Sequence, residues 1–208
     1  MLSDVQTRIE KACQKAGRNP SDIKLIAVTK GHTLEEIQEA ILNTGHTALG
    51  ENRIQEALPK LEAQPNLEWH LIGHLQTNKV KFCAGFSMIH SIDSSRLLEE
   101  IHKRSHTWAR IPELLLEINM GFEAQKHGAT PNQASELLAT ARDLGLTARG
   151  LMTVAPQDPN LAKAAFAGLA KLRDSLGLEH LSMGMSDDLE LAINEGATIL
   201  RIGRACFV

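Results

Sequence analysis

The sequence is short of several features that mark common functional classes. Net charge is one. Its 22 Lys and Arg against 25 Asp and Glu leave −3 and a pI near 6.3, and the basic residues are scattered rather than blocked. Such a chain has no field for wrapping a polyanion, so no nucleic-acid partner is expected. No apolar run approaches the ~20 residues of a membrane span, and the start, Met1 to Arg8, lacks the basic-then-apolar order of a secretory signal. The expectation is a soluble cytoplasmic protein with no membrane partner. Cys13, Cys83 and Cys206 are odd in number, widely spaced and free of any C-x-x-C, which indicates neither a disulfide framework nor a zinc ribbon. Each reads as a reduced thiol. There is also no Walker A, no G-x-G-x-x-G in the right place and no G-x-S-x-G after a strand.

What is present is regular alternation. The 208 residues, 43% of them hydrophobic, suit a single domain over 1–208 able to bury roughly 70% of its unfolded surface. Leu2, Val5, Ile9, Ala12, Cys13 and Ala16 share one face of a first helix, which Gly17 can end. Strand-like runs follow at Leu25–Thr29, Ala48–Gly50, Leu67–Ile72, Phe86–Ile89, Glu113–Ile118, Thr147–Leu151, His180–Ser182 and Thr198–Ile202. Amphipathic stretches separate them: Leu34–Asn43, Arg53–Glu62, Asn78–Cys83, Ser95–His106, Pro131–Leu144, Leu161–Leu176 and Asp188–Glu195. That alternation argues for parallel pairing, and eight strands favour closure into a (β/α)8 TIM barrel. An open doubly wound sheet would give the same pattern. Little chain follows the eighth strand, so the N-terminal helix is expected to cover the place of an eighth helix.

In such a barrel, active residues gather where the strands end. Lys30 stands there on strand one, where an amine partly shielded from water gains nucleophilicity, although most strand-end lysines are merely solvated. Near the other terminus, Ser182-Met183-Gly184-Met185-Ser186 runs from a strand into a helix with Ser186 as expected N-cap. Arg201-Ile202-Gly203-Arg204 ends the last strand. Loops after strands seven and eight recurrently build a phosphate site, and an amine with a phosphate site suggests a phosphorylated aldehyde. The side chains of Asp187 and Asp188 should then point away. Asn52 could meet a ligand or cap a helix, and Met152-Thr153 could floor the pocket or simply pack. His70 and His74 have H-x-x-x-H spacing, but Gly73 interrupts at a turn and no nearby Cys or carboxylate completes a metal set, so no metal is expected. His102 and His106 read as surface histidines.

Thr29-Lys30, Gly50-Glu51-Asn52, His70-Leu71-Ile72-Gly73, Leu75-Gln76-Thr77-Asn78-Lys79, Leu151-Met152-Thr153, Leu181 to Asp188 and Arg201-Ile202-Gly203 together resemble the pyridoxal phosphate homeostasis protein family (YggS/PROSC, with cyanobacterial PipY among its members). The likeness runs in order through nearly the whole chain. It implies a fold-type III, alanine-racemase N-terminal-domain-like barrel carrying pyridoxal 5′-phosphate (PLP), with Lys30 forming the Schiff base. It further implies that Ser186, Gly203 and Arg204 hold the phosphate, that Arg201 faces the pyridine nitrogen, and that Asn52 and Met152 line the ring pocket. Ser182, Met183 and His70 would form the surroundings. Many members have a proline in place of His74 and a threonine in place of Arg204, so the hydroxyl contact to phosphate is either replaced here by a guanidinium or lost.

The resemblance implies a PLP-binding regulator of vitamin B6 and amino-acid balance without known turnover, with PLP-dependent apoenzymes as candidate partners; the one-domain pocket favours a monomer. An amino-acid racemase is the alternative, but related barrels use a tyrosine as second base and this chain has none. A cofactor-free Schiff-base aldolase is the third reading.

Overall fold

Eight short parallel strands close on themselves in sequence order. The computed structural model describes residues 1–123 and 125–207. The strands are β1 (Lys24–Val28), β2 (Ala48–Glu51), β3 (Glu68–Leu71), β4 (Met88–Ile92), β5 (Glu113–Glu117), β6 (Ala148–Met152), β7 (His180–Ser182) and β8 (Ile199–Ile202). Pairing of β1 with β8, Leu25 opposite Leu200 and Ile26 opposite Arg201, seals the ring, so the open-sheet alternative is excluded. The helices are α1 (Leu2–Ala16), α2 (Leu34–Ala40), α3 (Ile54–Ala63), α4 (Ser95–Ser105), α5 (Ala134–Asp143), α6 (Pro159–Leu176) and α7 (Leu189–Asn194).

Strand parity divides the interior in two. Leu25, Ala27, Leu49, Trp69, Leu71, Ile89, Leu114, Leu116, Leu151, Leu181, Leu200 and Ile202 join the core shared with the helices, whereas Ile26, Ala48, Met88, Leu115, Met152 and Ile199 form a separate cluster inside the barrel. The same parity points His70, His90, Ser182 and Arg201 into the lumen, where all four are buried.

The first helix buries Leu2, Val5, Ile9, Ala12 and Cys13 and ends at Gly17, whose φ of 65° is left-handed. It packs on α7 and on the short turn at Arg204–Cys206, the place an eighth helix would take. Arg8 fixes it there by donating to Glu190, and Arg18 by donating to the carbonyls of Ile193 and Ala197.

Some expected boundaries move. Thr77–Gly85 is 3-10 rather than α-helical, and its two buried residues, Val80 and Cys83, are three apart, the spacing at which 3-10 side chains align. The fourth strand begins at Met88 rather than Phe86 and runs to Ile92, with a register shift between Ile89 and Ile92. Helix α2 stops at Ala40 before a 3-10 turn at Leu42–Thr44. Helix α6 starts two residues early, at Pro159, because Asp158 accepts from the amides of Asn160 and Leu161. All three cysteines are buried and free.

Candidate functional site at the C-terminal mouth

Lys30 leaves the end of β1 in the turn that follows buried Thr29. The structure braces that strand end from behind. Lys60 of α3 donates through Nζ to the Thr29 carbonyl at 2.8 Å and to Glu51 Oε1 at 2.6 Å, and Thr29 Oγ1 donates to the same carboxylate oxygen at 2.6 Å. Buried Glu51 and Lys60 therefore fix the backbone from which Lys30 projects. Lys30 is an exposed residue, in a turn with Gly31, rather than a partly shielded one.

Across the mouth, Arg201 of β8 is 4% exposed. Its Nη1 donates to Ser182 Oγ at 2.6 Å and its Nη2 to the Thr153 carbonyl at 2.9 Å, and it forms no ion pair among the described residues. Burial lowers its pKa to about 10, against the pull of Glu117 and Asp188, so it remains a cation at neutral pH. Thr153 in turn donates to the Ile118 carbonyl at 2.7 Å, which ties the ends of β5, β6, β7 and β8 together. Met152 lies fully buried in the barrel cluster, beneath this layer, and Met183 is fully buried in the outer core.

The loop after β7 does not follow the expected cap. Ser186 lies in a turn, and Asp188 precedes α7, which has six residues. Asp188 Oδ1 accepts from the Met185 amide, so its carboxylate folds back on its own turn. The helix-terminus argument for an anion at Ser186 therefore falls away. The loop's place is nonetheless set from three sides: Arg8 donates to the Ser186 carbonyl at 3.0 Å, the Arg201 amide to the Gly184 carbonyl at 3.0 Å, and the Met183 amide to the Ile199 carbonyl at 3.1 Å. Gly184 has φ of 98°, and a Cβ there would meet Ala192 at 2.5 Å and Leu200 at 2.7 Å. Gly203 is different. A Cβ on it would find nothing nearer than Val28 at 3.8 Å, so its backbone is open to an anion, and Arg204 beside it is exposed. Asn52 is half-buried, and its carbonyl is so close to Gly73 that a Cβ there would lie 2.1 Å away.

Three features escaped the sequence reading. Glu117 ends β5 with one carboxylate oxygen lacking a partner, and burial, aided by the charge of Asp93, raises its pKa to about 7. The lumen holds His90, between His70 and Ser182. Finally, His74 does have a carboxylate neighbour: Asp93 lies 3.5 Å away and the His127 ring 3.8 Å away, from two other loops. The ligand atoms of His74, Asp93 and His127 lie within 4.8 Å of one another, a spacing that could hold a metal ion, with the two rings parallel within 10°. His70 takes no part in that group. His102 of α4 and His106 just beyond its end meet edge-on.

A cleft of about 780 Å³ opens elsewhere, lined by residues of α1, α2 and the C-terminal turn, including Leu2, His32, Glu36 and Phe207. Neither Lys30 nor Arg201 lines it.

Residues 2–208 match the family described as alanine racemase, N-terminal domain. Pyridoxal phosphate homeostasis proteins are close in sequence: that of Deinococcus radiodurans is 43% identical over 96% of this chain and 95% of its own, and that of Aquifex aeolicus 44% identical over 99% and 95%. The chain belongs to the pyridoxal phosphate homeostasis protein family. Among solved structures, PipY of Synechococcus elongatus with PLP bound is 34% identical, with a TM-score of 0.79 over 96% of this chain and 99% of PipY. The family's barrel and the closed sheet described above are the same architecture.

Proposed function

We propose that this chain binds pyridoxal 5′-phosphate and regulates intracellular PLP (vitamin B6) homeostasis and amino-acid balance, without turnover of its own. The observation that carries the reading is that Lys30 follows β1 while Arg201 and open Gly203 end its paired neighbour β8, in a barrel whose relative PipY was solved with PLP bound. The residues fit the cofactor. Lys30 would offer its amine to the aldehyde, Gly203, Arg204 and Ser186 would hold the phosphate, Arg201 would turn a fixed cation toward the ring nitrogen, and Asn52 and Met152 would border the ring, with Ser182 and Met183 in the surroundings.

Bound PLP supplies an aldehyde and an electron-withdrawing ring. A guanidinium at the ring nitrogen opposes its protonation and so weakens that electron sink. No tyrosine is available as a second base. Both points support holding and releasing the cofactor over racemising an amino acid. No helix among the described residues is long and apolar enough to cross a membrane. On this reading the chain acts as one PLP-binding barrel domain, a cytoplasmic monomer whose partners are PLP-dependent apoenzymes.

The test is the purified protein with added PLP. A visible absorption band, and covalent attachment found by mass spectrometry at Lys30 after borohydride treatment, are expected. Loss of attachment in Lys30→Ala should follow. A protein that takes up no PLP would favour the aldolase reading. Deuterium exchange at the α-carbon of alanine at turnover rates, abolished by Lys30→Ala, would overturn the absence of catalysis.

A further inference from the structure

A line of polar side chains crosses the barrel from one mouth to the other. At the N-terminal mouth, Lys24 Nζ pairs with Glu68 Oε1 at 2.5 Å. His70 Nε2 lies 3.0 Å from that oxygen, His70 Nδ1 lies 2.9 Å from His90 Nε2, and His90 Nδ1 lies 2.8 Å from Ser182 Oγ. Ser182 Oγ accepts from Arg201 at 2.6 Å. Five strands contribute: β1, β3, β4, β7 and β8. His70, His90 and Ser182 are 0% exposed, so water does not stand in for any of these links.

The protons in this line can be placed. Glu68, paired with Lys24 and held at a pKa of about 2 chiefly by His70, is a carboxylate and only accepts, which puts a proton on His70 Nε2. Two charged rings cannot face each other nitrogen to nitrogen at 2.9 Å, since both would be donors. With both rings neutral, His70 Nδ1 accepts, His90 Nε2 donates to it, and His90 Nδ1 accepts from Ser182 Oγ. The serine's single proton is thereby spent inward. Its oxygen is then left only to accept, and arginine can only donate, so the contact runs from Arg201 Nη1 to Ser182 Oγ. A charged His90 would have to sit fully buried between His70 and Arg201, with Lys24, His180 and Arg201 all opposing its proton. The facing acids, Glu68 and Glu113, lie on the His70 side.

We propose that His90 and His70 are positioning residues: a one-directional hydrogen-bond line, Arg201 to Ser182 to His90 to His70 to Glu68, locks the guanidinium at the cofactor mouth from the opposite end of the barrel. The geometry of the line stands by itself. Only its effect on PLP rests on the proposed function.

The first arm uses the PLP-free protein. Two-dimensional nitrogen-15 spectra of the histidine rings at pH 7 should show His70 and His90 neutral, both protonated at Nε2. A ring protonated at Nδ1, or a charged ring, overturns the proposal. Glu68 stands at the rim of the far mouth, so its variants spare the pocket. Glu68→Leu removes the terminal acceptor and should shift the His90 resonances as well as those of His70, whereas Glu68→Gln, which keeps an acceptor oxygen, should restore the wild-type tautomers. A shift confined to His70 in Glu68→Leu would also overturn it. The second arm measures PLP release: about three- to tenfold faster from Glu68→Leu, the loss of roughly one hydrogen bond's worth of ordering at Arg201, and near wild type from Glu68→Gln. Unchanged release with changed tautomers would break the link to Arg201, and failure of the wild-type protein to take up PLP would refute the proposed function and leave the line in place.

Discussion

At the scale of single residues, the most consequential pair is one that touches no expected ligand. Glu51 and Lys60 are almost completely withdrawn from water, with side-chain exposures of 0% and 9%, and they share Thr29, the residue before Lys30. A buried ion pair adds little net stability over well-packed apolar groups, but removing one partner strands the other charge. Lys60→Met should therefore cost about 3–5 kcal/mol in urea unfolding. The double variant Lys60→Met, Glu51→Leu should recover part of that loss, since no lone carboxylate remains. If the brace also aims Lys30, the double variant should be folded yet slower to attach PLP. Equal attachment rates would reduce the pair to packing alone.

At the scale of elements, α1 and the loop after β7 do related work. The helix fills the eighth-helix position with Leu2, Val5, Ile9, Ala12 and Cys13, and its Arg8 reaches the Ser186 carbonyl. Ile9→Ala should destabilise by about 2–4 kcal/mol in thermal or denaturant unfolding, the range for deleting a buried aliphatic side chain. Gly184→Ala should be harmful for a different reason. It forces a side chain into a left-handed turn and against Ala192 and Leu200, so the loop must shift, and weaker phosphate retention is expected alongside a lower melting temperature. The sequence made much of this level legible: the heptad-like face of α1, the strand count and Gly17 as the stop all follow from periodicity and punctuation. Ser186 was misread as a cap because Ser before Asp-Asp-Leu fits the cap pattern, while Asp188, two residues on, competes for the same turn and wins through its bond to the Met185 amide. Lys30, Arg201 and Gly203 could be named because they end strands. His90 could not, although the alternation of Met88, Ile89 and His90 places it inside once the strand's true start is known. The Glu51–Lys60 pair depends on a helix folding back over a strand end, which no local pattern announces.

For the whole molecule, buried titratable groups of opposite behaviour set the pH response. Burial holds His70 and His90 neutral below their ordinary range, so between the unfolded histidine value of 6.5 and lower pH the unfolded chain binds more protons, and stability is lost as pH falls. Glu117 acts the other way. Its folded pKa of about 7 stands above the ordinary 4.5, so the folded chain holds an extra proton in that interval, and its contribution is lost as pH rises from 4.5 to 7. Each proton of difference is worth about 1.4 kcal/mol per pH unit, and two rings outnumber one carboxyl, so net stability of the PLP-free protein should decline from pH 6.5 toward pH 5. Half-buried His46 and His180, whose pKa values are also lowered by burial, add to that decline. Glu117→Gln removes the opposing proton. It should make the acid limb steeper by about 1.4 kcal/mol per pH unit, and it should raise stability at pH 8 by up to about 3 kcal/mol, where the wild type keeps a desolvated carboxylate. Unfolding free energies measured from pH 5 to 8 on both proteins check the sign directly: a shallower acid limb in Glu117→Gln would mean that the carboxyl is ionised in the folded chain throughout, with Arg201 rather than burial governing it.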